Sequence, residues 1–268
     1  MRYQSKPAIR WGVWRRIKAY ALTGSVLLSG ILFFAFLAYF PLFKIRSVTV
    51  VGESSTSQAY VISSIASQLM AYSSFNRVLS LSNILVWGGS PRITDSALKG
   101  LPTIGSLGIK RDFFNGHVTI DASDRKKEAL WCVTSSGLCY FTDASGVVFL
   151  RAGDISLSVP SSTVPVVLDS YDNKLTMLTS VLNRESYSDL LKVISLIENL
   201  GFKNPTLYFK NMDYEEVVFK TPDNKEMYFS LLFDPSDDLA AVKNIISSAG
   251  WRDVQYVDLR VQGRVYYK

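Results

Sequence analysis

Between Lys18 and Lys44 no residue is charged, and the stretch AYALTGSVLLSGILFFAFLAYF from Ala19 to Phe40 is apolar or small throughout. Its 22 residues make about 33 Å of helix, which matches a hydrocarbon core of roughly 30 Å. A helix buried in a soluble core is rarely apolar or small on every face, as this run is. The rival is a cleaved secretory signal, whose apolar region covers about 7–15 residues and ends at a small-residue cleavage site. Ala35 and Ala38 do not form that pattern, so an uncleaved anchor over 19–43 is expected. Ala21, Ser25 and Ser29 recur every fourth residue, a spacing that lets helices approach closely but is common in any such span.

Charge supplies the orientation. Arg2, Lys6, Arg10, Arg15, Arg16 and Lys18 precede the span with no acidic residue among 1–18, and only Lys44 and Arg46 follow it closely. The excess of Lys and Arg at one flank holds that flank in the cytoplasm. Residues 44–268 then lie outside. Trp11, Trp14 and Tyr20 on one side and Tyr39, Phe40 and Phe43 on the other are placed for the two interfaces. The same tail accounts for the whole net charge of +6: setting its six cations aside from 29 Lys and Arg leaves 23, against 23 Asp and Glu. A neutral body has no long-range field to gather phosphates, so no nucleic-acid partner is expected.

Beyond the span the periodicity changes twice. Ile45, Val48 and Val50 belong to a β-prone run that stops at Gly52. Ser54, Ser55, Thr56 and Ser57 give helix-start chemistry, and Val61, Ile62, Ile65, Ala66 and Leu69 follow at helical spacing. The stretch 70–90 is irregular as far as Trp87, Gly88 and Gly89. SPRITDSALKGLP then offers a short helix, and two alternating runs around Asn115 and Gly116 read as a hairpin. Strand, helix, helix, strand, strand over 44–123 makes a small α+β domain.

The second domain, 124–268, opens with β-prone runs around the cysteines of ALWCVTSSGLCYFTD. With Ser135 and Ser136 at the turn centre, Cys132 and Cys139 face each other in a hydrogen-bonded pair; a three-residue turn with Gly137 shifts the register. Outside the membrane a disulfide can form there, and two small half-buried hydrophobes is the alternative. Leu190, Val193, Ile194, Ile197 and Leu200 make a helix stripe closed by Gly201. TLYFK, EEVVFKT and EMYFSLLF read as an antiparallel meander. A second helix starts at Asp234 and Pro235, with Asp237 and Asp238 favourable to its dipole and Leu239, Val242, Ile245 and Ile246 on its apolar face, and Gly250 ends it. The chain closes with YVDLRVQGRVYYK, where Val257, Leu259, Val261, Val265 and Tyr267 alternate with polar positions as one terminal strand.

These landmarks in this order resemble the FtsQ/DivIB family of bacterial cell-division proteins over nearly the whole chain. FKIRSVTVVG is similar to the opening of that family's POTRA domain, and LPTIGSLGIKRDFFNGHVTIDASDRKKEALW to the segment joining POTRA and β-domains. TDASGVVF, with Asp143 and Gly146, resembles the family's Asp-x-x-Gly turn. YVDLRVQGRVYYK, with Asp258, Leu259 and Arg260, is its most specific match. The chain departs from the family at the domain junction, where Arg111 to Phe114 and Asp124 to Lys126 lack both usual prolines, so what it resembles is a divergent member.

The resemblance implies a single transmembrane helix, a POTRA domain and a mixed β-domain with two helices. It further implies a scaffold at the division septum that holds FtsB-like and FtsL-like bitopic proteins and other divisome components, and so influences septal peptidoglycan synthesis. FtsB binding by strand addition in that family transfers to Tyr256, Asp258, Arg260, Val261, Gly263, Val265 and Tyr266 here. No catalytic residue, metal, cofactor or small-molecule substrate is expected. His117 is the single histidine, and two cysteines beside it are too few for a structural zinc cluster. No nucleophile elbow or phosphate loop is present, and the pairs Glu215-Glu216 and Asp237-Asp238 are adjacent in sequence rather than convergent. The alternative reading is a membrane-anchored cell-wall-binding protein or enzyme with an unrecognised site.

Overall fold

The protein is described from a computed structural model covering residues 9–52, 56–88, 91–158, 162–171, 175–211 and 215–268. Arg2 and Lys6 of the basic tail, Ser54 and Ser55 of the helix-start signal, and Gly89 lie outside the described residues. Helix α1 runs from Ile9 to Tyr39 as one uninterrupted rod, and from Arg16 to Tyr39 it is long and apolar enough to cross a membrane. Leu22, Leu27, Leu28, Ile31 and Leu32 stay exposed along the shaft. A short 3₁₀ turn, Pro41–Phe43, follows.

The packing divides the chain into two units, Met1–Ala97 with Leu107–Ala122, and Leu98–Ser106 with Ser123–Lys268. The segment 98–106, expected within a 44–123 domain, thus groups with the second unit, where the Thr103 carbonyl accepts the Arg125 amide at 2.7 Å. The first unit contains β1 (Ser47–Val51), α2 (Gln58–Tyr72), α3 (Ser74–Leu79) and most of α4 (Pro91–Gly100). Strands β2 (Ile104–Asp112) and β3 (His117–Asp124) join β1 in a three-stranded sheet of order β1-β3-β2, with β1 parallel to β3. Val61, Ile65 and Leu69 are the buried stripe of α2, as their spacing requires. Helix α3 was not legible in the sequence: six residues with one buried apolar side chain, Leu79, carry no period.

The second unit is built on a nine-stranded sheet. In chain order it contains β4 (Ala129–Val133), β5 (Leu138–Thr142), β6 (Val148–Asp154), α5 (Ile155–Ser158), β7 (Val166–Asp169), α6 (Arg184–Asn199), β8 (Thr206–Asn211), β9 (Glu216–Lys220) and β10 (Glu226–Ser230). Then come a 3₁₀ turn (Pro235–Asp238), α7 (Leu239–Ser247), a second such turn (Ala249–Asp253), β11 (Tyr256–Val261) and β12 (Arg264–Tyr267). The sheet order is β12-β11-β10-β9-β8-β7-β4-β5-β6. It is mixed: β7 runs parallel to both β4 and β8, and β11 is parallel to β10. The run VVLD that forms β7 gives no strand signal in the sequence because its four residues are buried or half-buried without alternation. Helix α7 stops at Ser247, before Gly250, because the residues from Ala249 tighten into a 3₁₀ turn.

One face of the sheet packs against α6 and α7. Leu207, Phe209, Val217, Phe219, Met227, Phe229, Val257 and Leu259 from the strands share a core with Leu190, Val193 and Ile197 of α6 and Val242 of α7. Cys132 and Cys139 point to the opposite face, with Leu130 and Val166. They are directly paired across β4 and β5 and bonded to each other, with Cα atoms 4.0 Å apart. That is the closer of the two spacings alternating along an antiparallel ladder, so the pair is of the non-hydrogen-bonded kind rather than the hydrogen-bonded kind expected. The bridge spans seven positions, and so short a loop limits its entropic contribution to about 2–3 kcal/mol. Replacing both cysteines by alanine is expected to lower the melting temperature by about 5–10 °C with no change in far-ultraviolet circular dichroism. Loss of the folded spectrum would show that the bridge holds more than one hairpin.

Candidate partner interface

The sequence reading of 256–267 as one strand is corrected by the structure. Gln262 and Gly263 form a two-residue turn, and Gly263 adopts φ 68°, which glycine reaches without a Cβ penalty. Val261 faces Arg264 across the turn. A bulge between Asp258 and Val261 then shifts the register by one, so that Val257 faces Tyr267 and Asp258 faces Tyr266. Odd positions therefore oppose odd positions, and the apolar alternation passes through the turn as if the strand were continuous. The period alone could not reveal the reversal; the Gln-Gly step was the available signal.

This hairpin redistributes the candidate residues. Tyr256, Asp258, Arg260 and Val261 belong to β11, which lies between two strands: β10 pairs with it along Tyr256–Leu259 and β12 pairs on its other side, so β11 is not the edge of the sheet. Gly263 is in the turn, and Val265 and Tyr266 lie on β12, the edge strand. Lys268 and Tyr256 exchange both backbone bonds, at 3.3 and 3.4 Å. Adjacent residues on an antiparallel strand turn their amides in opposite directions, so Tyr267 directs its N–H and C=O away from β11 and toward the free edge. Tyr267 was missed as a site residue because it reads simply as another apolar position in the alternation.

Arg260 is occupied within its own sheet. Its guanidinium donates to both carboxylate oxygens of Asp258, at 2.9 and 2.7 Å, and to Glu216 on β9 at 3.2 Å. It also lies 5.0 Å from the centre of the Tyr228 ring, which Lys210 approaches at the same distance from the β8 side. The bidentate pair holds the Asp258 carboxyl below its usual range and raises Arg260 further. A hydrogen bond from Tyr228 to Glu226 raises the Tyr228 hydroxyl to about 12. Arg260 thus cross-links β11 and β9 over β10.

Arg260→Ala is expected to leave Asp258 and Glu216 uncompensated. The half-exposed site keeps the cost to about 1 kcal/mol. Asp258 has a depressed folded pKa, so its contribution is present above the unfolded value near 4 and is lost as pH falls further. The difference between wild type and variant in urea unfolding should therefore shrink below about pH 4. A pH-independent difference would place the effect in packing.

A row across five strands, Tyr208, Val218, Tyr228, Asp258 and Tyr266, crosses the face opposite α6 and α7. The disulfide strands are far along the same sheet, with β7 to β10 between them and the terminal hairpin. His117 lies between two hydroxyls, its Nδ1 2.7 Å from Ser47 Oγ and its Nε2 2.9 Å from Thr49 Oγ1. Among the described residues no three His, Cys, Asp or Glu side chains converge as a metal site would require. Asp143 and Gly146 form the expected turn: the Asp143 carboxylate accepts the amides of Ser145 and Val147 at 2.9 and 3.1 Å and pairs with Arg125. No protein-family model matches the chain, and no curated protein does.

Proposed function

We propose that this protein is a bitopic scaffold of the bacterial divisome, of the FtsQ/DivIB kind. It is anchored once in the cytoplasmic membrane by α1, with its amino terminus in the cytoplasm and the carboxyl terminus outside, and works at the septum. Its task is to hold small bitopic division proteins, FtsB-like and FtsL-like, and through them to influence septal peptidoglycan synthesis. The observation that carries the reading is the unpaired outer edge of β12, at the end of a well-supported sheet. An extended segment of a partner can add there as a tenth strand, its main chain satisfied by the outward N–H and C=O groups of Tyr267 and of the other β12 residues that alternate with the inward-bonded ones. Val261 and Tyr266, both 47% exposed, are available for side-chain contact, while Val265 is partly sunk in the core. The ionic contacts that Asp258 and Arg260 already make assign them to holding β11, in place of touching the partner.

Co-purification from cells carrying the full chain or a chain ending at Gly263 tests this. The full chain is expected to bring down the small bitopic division proteins and to concentrate at mid-cell, and the shortened one to lose at least about tenfold of the recovery. Equal recovery would remove β12 from the mechanism.

A further inference from the structure

The chain leaves α1 at Tyr39 and is fixed almost at once. Ile84 donates to the Phe43 carbonyl at 2.7 Å and Ile45 to that of Ser82 at 2.8 Å. The Arg46 amide bonds the Gly116 carbonyl at the β2–β3 turn, at 2.7 Å. Gly116, at φ 63°, admits this approach: a Cβ there would sit 2.7 Å from the Lys44 carbonyl oxygen. The hairpin tip is therefore tied within seven residues of the end of α1. Asp112 rigidifies it by accepting the amides of Phe114 and Asn115, both at 3.1 Å, which leaves Phe114 87% exposed. Phe113, Phe114, Phe40, Leu42, Lys44 and Arg46 line one hollow at this point.

A second contact lies beside the helix itself. The Phe75 ring of α3 meets Phe34 edge-on with centroids 5.7 Å apart, and Asn83 donates to the Leu37 carbonyl at 2.8 Å. Phe34 is five residues short of the end of α1, about 7.5 Å back along its axis. Phe75 and Val78, three positions apart on one face of α3, are 45% and 66% exposed. Exposed cations accompany these apolar groups: Lys44 and Arg46 line the hollow with Phe114, Arg111 lies over the Phe113 ring at 5.3 Å, Arg77 is on α3 between Phe75 and Val78, and Asp112 is engaged in the turn.

We infer that the unit following α1 is seated in the bilayer surface: Phe75, Val78 and Phe114 enter the boundary between acyl chains and headgroups, and Lys44, Arg46, Arg77 and Arg111 meet anionic lipid phosphates. The inference rests on α1 spanning the membrane, as proposed above. Large apolar side chains held at the mouth of a span, with exposed cations beside them, match an interfacial lipid contact in depth and in charge. Such seating would fix the height of the first unit above the lipid.

Single cysteines at Phe114, Val78, Ser29 and Lys203, each carrying a polarity-sensitive nitrobenzoxadiazole label, test this in the full chain. The protein is reconstituted in nanodiscs of phosphatidylcholine with or without phosphatidylglycerol, and quenched by spin-labelled lipids or aqueous iodide. The labels at 114 and 78 are expected to be quenched by shallow lipid nitroxides, Ser29 by deep ones, and Lys203 by iodide alone. Lys44→Gln with Arg46→Gln should shift the docked population at 114 by about fivefold per charge in the anionic discs only. Iodide quenching at 114 and 78 with Ser29 still in lipid would overturn the seating and leave the anchor intact. Iodide quenching at Ser29 as well would overturn both. Protection of 114 that grows with protein density and ignores lipid nitroxides would mean that a second copy covers the patch, which also contradicts the proposal.

Discussion

Replacing Tyr267 by proline is expected to weaken capture of a partner strand by about tenfold to hundredfold while leaving the fold nearly intact. Tyr267 turns its amide outward, so proline there removes no bond to β11, and an edge position with its N–H toward solvent is one that a sheet tolerates. A partner carbonyl loses the donor that the Tyr267 N–H would supply, and the partner meets the pyrrolidine ring where it would lie. Each main-chain bond contributes about 0.5–1.5 kcal/mol net, and the misfit adds to it. Tyr267→Phe is the control, because it keeps the amide. Affinity for an FtsB-like partner measured by calorimetry separates the two, and equal weakening by both variants would place recognition in the side chain.

The second large effect concerns stability. Gly146 has φ 75°, and a Cβ there would stand 2.7 Å from the buried Tyr187 ring. The ring cannot retreat, since its hydroxyl is bonded to Thr142 at 2.8 Å inside the core. Gly146→Val combines a left-handed backbone with an overpacked contact, for about 2–5 kcal/mol together. Against a total stability of about 5–15 kcal/mol, that is a large fraction of what holds the second unit folded. Ser145→Val, exposed in the same turn, should cost less than about 1 kcal/mol. Urea unfolding of the detergent-solubilised chain measures both; a Gly146→Val midpoint equal to wild type would contradict the packing of this turn on α6.

Legibility in the sequence followed the physics of each element. The α1 span, the α2 and α6 stripes, the Asn115-Gly116 hairpin and the β8–β10 meander could be read because each imposes a period or a turn residue that little else explains. Helix α3 and strand β7 could not, being too short for a period to be counted. The terminal hairpin was hidden by its own bulge, which restored the parity that a two-residue turn would otherwise have broken. The candidate site suffered the same error. Residues on both of its strands were assigned to one terminal strand, although only β12 is at the edge, and Arg260, a candidate for partner contact, is held by Asp258 and Glu216. Side-chain pairing across strands far apart in sequence leaves no local trace, so no pattern in 256–267 could have named Glu216.

Residue-resolved amide hydrogen exchange of the C-terminal hairpin, with and without an FtsB-like partner, tests the edge-strand account most directly. The Tyr267 amide is expected to exchange freely in the lone protein and to become strongly protected in the complex, while the inward-bonded Tyr266 amide changes little. A tight complex in which Tyr267 exchanges as fast as before would contradict it.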